Sequence, residues 1–309
     1  MFSIVICSIN AQYQEQITQN ISATIGMPFE LLIYDNKKAT KGICEVYNQM
    51  ASIAKYPYIC FFHEDILIQT DGWGKVLAGL FDLDSQIGLI GVAGGKYKSS
   101  MYSGWYSGNH ELDCLNITHR IGGKDIKMIQ PLGNHEIHEV VCLDGVFLVT
   151  RNAIWQQIRF DADLLKGFHF YDIDFSLRAA RICKVMVTMK IDIVHITTGG
   201  DYGNRWINQA IDFHQQRGFL MPYSRNLILP EGVDIEIARQ WLDWLKPQKI
   251  SFSNKMKWIQ TQRLYLRPKL AYAVLKFLIY APLGLGKIHH LIKGVVYRFK
   301  ESPGTNKSS

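Results

Sequence analysis

Apolar residues in this chain gather in short blocks, and most blocks stop at polar side chains. Residues 2–7 form the first block and read as a strand, followed by the polar turn Ser8-Ile9-Asn10. Residues 14–25 fit a helix, and 30–34 a second strand that ends in Asp35-Asn36. A helix over 43–54 leads into the strand 58–62, which stops at His63-Glu64-Asp65. A helix over 73–81 and a strand over 87–92 follow, closing on Gly94-Gly95. Strand–helix–strand alternation with polar strand ends is the mark of βαβ units and predicts an α/β fold with a parallel sheet.

Residues 96–138 read as irregular, with Tyr97, Tyr102, Trp105 and Tyr106 among serines and glycines. Such a loop fits either a platform for a sugar ring or a small core of its own. Short strands are expected over 140–143 and 146–150, around Asp144-Gly145. Asp172 and Asp174 open a predicted helix that runs to about residue 183, where carboxylates suit the helix dipole and also simply cap. A strand region over 185–194 leads to His195 and the small-residue loop 197–200, and a helix is expected over 206–217.

The block 58–62 is apolar throughout, as a strand buried on both faces requires. In open α/β sheets ligands bind beyond the carboxyl ends of the strands, where His63, Glu64 and Asp65 would stand. A carboxylate there can hold a divalent ion facing a diphosphate; the same triplet also fits a solvated acidic turn. Other chemistries find no support. The turn after the first strand is not G-x-G-x-x-G, and no G-x-x-x-x-G-K-[ST] occurs. His135-Glu136-Ile137-His138 lacks the i, i+4 spacing of a zinc-protease helix.

The 309 residues suffice for one large α/β domain with an appendage, or for two domains. The six cysteines are scattered with no CxxC pair, which fits reduced, buried thiols better than disulfides or a zinc site. The opening residues lack the basic segment of a secretory signal and read as the first strand. Charge is unevenly placed. From Lys246 onward 13 Lys and Arg stand against Glu301 alone, while the rest of the chain carries 21 basic and 26 acidic residues. A mildly acidic body argues against nucleic acid, and a basic tail points to an anionic partner. Within the tail, 270–285 is apolar except for Lys276, is interrupted by Pro282, and is shorter than the ~20 residues of a membrane span. With Trp258, Tyr265, Tyr272, Phe277 and Tyr280 nearby, it reads as a segment lying on a membrane surface; packing back onto the body is the other reading.

Several separated motifs together resemble the family 2 glycosyltransferases of GT-A fold, in particular a bacterial glycosyltransferase-like subgroup. The likeness covers about residues 2–200. Cys7-Ser8-Ile9-Asn10 is similar to the family's first nucleotide-contacting turn, and Asp35-Asn36 to the strand end that meets the nucleoside. Glu45-Val46-Tyr47-Asn48 resembles the A-R-N-x-G helix, with Tyr47 in place of Arg. His63-Glu64-Asp65 stands at the D-x-D position, with His63 replacing the first Asp. Asp144-Gly145 with Arg151 resembles D-G-x-x-x-x-x-R, and Tyr171-Asp172-Ile173-Asp174 resembles E-D-x-D. His195 lies where many GT-A enzymes supply a late metal ligand.

This resemblance implies a Rossmann-like mixed sheet flanked by helices over 1–220; the charge and apolar pattern of the tail add a C-terminal helical, basic amphipathic, membrane-associating extension over 221–309. The resemblance also implies an inverting, metal-dependent transferase using a nucleotide sugar, UDP-linked by family frequency. Ser8, Asn10, Asp35, Asn36, Asn48, His63 and Asp65 would bind the donor. Asp65 and His195 would hold Mn²⁺ or Mg²⁺, and Asp172 would be the catalytic base. Trp105, Asp144, Gly145, Tyr171 and Asp174 would meet sugar or acceptor. The expected setting is bacterial surface polysaccharide or lipooligosaccharide synthesis on a glycan or lipid-linked acceptor. The expected place is the cytoplasmic face of the inner membrane, held by the anionic lipid surface. The competing readings are a sugar nucleotidyltransferase, whose Gly-rich basic loop is missing from residues 8–13, and a catalytically inactive, membrane-attached scaffold or glycan-binding protein.

Overall fold

A computed structural model of the chain describes residues 1–261 apart from 39, 198–201 and 246. Its strands are β1 (Phe2–Ser8), β2 (Phe29–Asp35), β3 (Tyr58–Phe62), β4 (Ile66–Ile68), β5 (Ile87–Gly91), β6 (Ala93–Gly95), β7 (Tyr97–Lys98), β8 (Asp113–Ile121), β9 (Lys124–Gln130), β10 (Ile137–Val140), β11 (Cys142–Leu143), β12 (Phe147–Arg151), β13 (Lys184–Thr188), β14 (Ile193–Ile196) and β15 (Tyr223–Ser224). Its helices are α1 (Ala11–Thr24), α2 (Ile43–Ala51), α3 (Trp73–Leu83), α4 (Asn152–Ile158), α5 (Tyr171–Ala179), α6 (Asn204–Arg217), α7 (Val233–Leu245) and α8 (Phe252–Thr261).

β1 lies between β2 and β3 and is parallel to both, with Ser8 opposite Asp35 and Ile6 opposite Phe62. Three carboxyl ends therefore stop along one edge, which is where sheets of this kind bind ligands. The main sheet continues to seven strands in the order β10-β13-β5-β12-β3-β1-β2. It is mixed rather than parallel throughout. β12 is antiparallel to both β3 and β5, because the chain enters it at the carboxyl edge of β3, where the His63 amide donates to Val146 O, and can only run back.

Alternating residues of the central strands feed two cores. Val5, Phe61, Leu89 and Leu148 face one side, with α2 and α5–α8. Ile4, Ile6, Cys60, Phe62, Ile90 and Phe147 face the other, with α1 and α3. Side chains alternate along a strand, so a strand covered on both faces must be apolar at every position. Burying each Phe of β3 contributes roughly 1.5–3 kcal/mol.

Residues 96–138 are irregular only in part: 99–112 has neither strand nor helix, but the flanking residues form strands. A second sheet, β11-β6-β8-β14-β4, carries β9 on β8, and the β8–β9 hairpin turns at Gly122-Gly123 with φ of 57° and 78°. Two glycines with positive φ are what a tight two-residue hairpin turn needs. β9 is largely exposed and shows little hydrophobic alternation, which hid the hairpin from the sequence pattern. The single strand region expected over 185–194 is two strands, β13 in the main sheet and β14 in the second.

The described part of the C-terminal extension joins the body. Ile237, Trp241, Leu245, Trp258 and Ile259 belong to the same core as Val5 and Phe61. Trp258, expected at a membrane surface, is 1% exposed and its Nε1 donates to Tyr102 O at 2.6 Å. The apolar run 270–285 and Tyr265, Tyr272, Phe277 and Tyr280 lie outside the described residues, as does the glycine pair of the 197–200 loop. No described helix is long and apolar enough to cross a membrane. All six cysteines are free, and all but Cys7 are buried.

Candidate active site

β4 brings Asp65 to the second sheet, where β14 pairs antiparallel with it and sets His195 opposite Ile66. His195 Nε2 lies 3.4 Å from Asp65 Oδ2. His63, at the end of β3, completes a cluster in which one ligand atom from each of His63, Asp65 and His195 lies within 4.8 Å of the others. Burial disfavours charge on both histidines and leaves His63 below its ordinary range. Burial alone would also lower His195 and raise Asp65, but their hydrogen bond and mutual attraction outweigh it, raising His195 and lowering Asp65.

The donor set fits a divalent ion. Asp65 Oδ1 is buried with no hydrogen-bond partner among the described residues. Buried polar atoms are nearly always partnered, so an orphaned carboxylate oxygen inside a three-ligand cluster indicates a cation. His63 is oriented from behind. Its Nε2 lies 2.8 Å from the Tyr171 hydroxyl, which donates to Gly145 O at 3.0 Å. The phenol then accepts from Nε2–H and leaves the Nδ1 lone pair of His63 for the ion. Tyr171 is 3% exposed, so it positions His63 and does not meet an acceptor as expected.

Asp172 opens α5 beside this centre. The turn before it is unusual, since Phe170 holds φ 67° with its ring buried against Trp206, Phe213 and His214. A bulky residue in the left-handed region costs of order 1–3 kcal/mol and persists where the surroundings fix it. The turn aims Asp172 at the Asp144-Gly145 loop, where Oδ2 accepts from the Gly145 amide at 2.9 Å. A Cβ on Gly145 would collide with the Tyr171 hydroxyl, so this position must be glycine. Burial and the neighbouring Asp144 push the Asp172 carboxyl up to about 7, against the pull of its backbone hydrogen bonds. Asp144 in turn accepts from Trp105 Nε1 at 2.9 Å and from the Val146 amide.

Contacts run from Asp65 through His195, His63, Tyr171 and Gly145 to Asp172, and Asp144, next to Gly145 in the chain, joins Trp105 to the same loop. Other predicted residues do different work. Asp174 is fully buried and ion-paired to Arg178 and Arg217, which ties α5 to α6 and leaves nothing for an acceptor. Asn48 spends its amide on the backbone of Phe160. Ser8 Oγ donates to Glu64, whose carboxylate also receives the amides of Ile9 and Asn10. Asn10 Oδ1 caps α1, and Asn36 is buried against Lys41 O and Cys7 Sγ. Asp35, like Asn10, is exposed, and it is paired with Lys37.

Three neighbours had no expected role in binding donor, acceptor or metal. Glu64 braces the first turn. Phe168, 49% exposed, lies 5.4 Å from the His63 ring. His119 on β8 stands 5.4 Å from the His195 ring. The first was visible as an acid inside the triplet; the others depend on long-range packing.

The fold is that of the GT-A glycosyltransferases. The match to the family described as "Glycosyltransferase like family" spans residues 3–210, and the chain belongs to that family. No curated protein is similar enough in sequence to count as a match. Among solved structures, GalNAc-T7 with UDP, GalNAc and Mn²⁺ superposes with TM-score 0.50 at 10% identity, over 87% of this chain and 58% of that one. S. aureus TarS with UDP-GlcNAc gives TM-score 0.45 at 13% identity, over 91% of this chain and 81% of that one. The mannosyltransferase PcManGT from Pyrobaculum calidifontis with GDP-Man and Mn²⁺ gives 0.44 at 11%, over 91% and 85%. At 10% identity the likeness to GalNAc-T7 speaks for the fold alone.

Proposed function

We propose that this glycosyltransferase moves a sugar from a nucleotide-sugar donor to an acceptor hydroxyl with inversion, and that Asp172 is the base. The observation that carries this is a carboxylate held by the Gly145 amide beside a metal-fit cluster, its pKa raised by burial and by Asp144. A general base works best with a pKa near the operating pH. A divalent ion held by His63, Asp65 and His195 would offset charge on a departing diphosphate. GalNAc-T7 holds UDP and Mn²⁺, and the same pair is the first to try here.

Asp172 takes the proton of the attacking hydroxyl while the Gly145 amide keeps its carboxylate aimed. Asp144 and Trp105 flank the base, and Asp35 stands at the strand edge for the nucleoside. A single displacement assisted by one base inverts the anomeric carbon. The acceptor we infer is a glycan or lipid-linked sugar of a bacterial surface polymer. We infer that the enzyme meets it at the cytoplasmic leaflet through the basic residues beyond 261, because cations near an anionic surface are each worth about 1 kcal/mol.

The test is turnover and donor binding of Asp172→Asn with a panel of nucleotide sugars. Binding should persist and transfer should fall by roughly 10²–10⁴-fold. Near-normal transfer would remove Asp172 from the role.

A further inference from the structure

A third imidazole stands at the metal cluster without a place in the sugar-transfer reading. β14 lies between β4 and β8, and its register sets His195 opposite His119. Residues opposed in neighbouring parallel strands project from the same face of the sheet. The rings are 5.4 Å apart, centroid to centroid, with planes inclined by 55°. Nδ1 of His195 and Nδ1 of His119 are both buried, and neither has a hydrogen-bond partner among the described residues.

His195 turns Nε2 toward Asp65, so Nε2 is the nitrogen offered to an ion. An imidazole that ligates through one nitrogen carries its proton on the other and needs an acceptor for it. His63 has this outer partner in Tyr171. His195 has none on its own strand or on β4, and the adjacent ring on β8 carries an unused buried nitrogen.

We propose that His119 is the positioning residue of the metal centre: its Nδ1 accepts the Nδ1–H of His195 through one bridging water, and so fixes the Nε2 lone pair of His195 on the ion. The inference rests on the assignment of a divalent ion to His63, Asp65 and His195. Through the two second-layer contacts, Tyr171 and His119 set the tautomers of the two ligating rings from opposite sides of the cluster. The β8 strand, which carries none of the expected site residues, thereby becomes part of the site.

The experiment is equilibrium binding of Mn²⁺ alone to the full chain, followed by the electron paramagnetic resonance of the free ion, with the visible spectrum of bound Co²⁺ as a second readout. His119→Ala and His119→Leu both remove the acceptor, one leaving space and the other filling it. His119→Asn keeps an acceptor oxygen near the position of Nδ1. Both apolar variants should bind Mn²⁺ about 10–100-fold more weakly and alter the Co²⁺ spectrum, the usual scale for losing an outer partner. His119→Asn should recover most of the affinity, and melting in EDTA should match the wild type in all three. Wild-type affinity in both apolar variants would overturn the proposal. So would an Asn variant as weak as the apolar ones, which would mean that the ring acts by packing. If the wild type binds no Mn²⁺, the metal assignment falls and His119's role with it, while the test of Asp172 as base still stands apart.

Discussion

Asp172 and Asp144 are two carboxyl groups with opposed duties. The charge of Asp144 is one of the causes that hold Asp172 near 7, after burial. A carboxyl that is protonated below 7 cannot accept a proton there. The acid limb of kcat/KM should therefore bend near pH 7, with activity rising as pH rises through it. Asp144→Asn removes a like charge, lowers the Asp172 pKa, and should carry the limb to lower pH. A limb that stays in place in that variant would separate Asp144 from the base. Tyr171 and Asp174 make a related contrast, since both open α5 within one turn of Asp172. One supports His63 and the other anchors an ion pair to α6.

Between elements, the least ordinary junction is built on Lys98 at the end of β7. It is 1% exposed, and its Nζ donates to Ser99 O, Met101 O and Ser103 Oγ and meets Nε2 of His214 on α6. The neighbouring Tyr97 and Ser99 hydroxyls donate to Asp234 on α7. The clamp thus fixes the segment leading to Trp105 against two helices. Burial lowers the Lys98 amine to about 7, although Cys142 and Asp234 pull the other way. The folded state then binds fewer protons than the unfolded chain between about 7 and the ordinary lysine range. Stability from this group rises with pH across that window and is lost as pH falls toward 7, by at most about 1.4 kcal/mol per pH unit. Lys98→Met should cost about 3 kcal/mol through the carbonyls it strands, and should flatten this rise. Denaturant melts of both proteins at pH 7 and pH 9 measure it; parallel pH dependence would show that Lys98 does not titrate in the window.

Across the whole molecule, one core runs from the central sheet out to α8. This decides where the chain can be cut. Ending it after Leu245 would strip Trp258 and Ile259 from that core, so a test of the basic tail belongs after Thr261. The shortened protein should keep its melting behaviour and lose binding to anionic liposomes, whereas the full chain should bind them and release them in high salt. Equal sedimentation of the two with liposomes would refute a membrane role for the residues beyond 261.

The β1–α1–β2–α2–β3 order, its polar strand ends and the place of the metal-fit triplet were legible in the sequence. Buried strands and amphipathic helices impose local periods of hydrophobicity, and a charged triplet after an apolar run has few explanations. The glycine at 145 and the acid at 172 were legible through motif resemblance. The partner of each polar side chain was not. Asn48 meets Phe160, Asp174 meets Arg217, His63 meets Tyr171 and His195 stands against His119. Each of those pairs joins residues far apart in the chain, so no local pattern encodes it. The exposed β9 escaped notice for the complementary reason: a strand that buries little on either face leaves almost no periodic trace, and only its pairing with β8 makes it a strand.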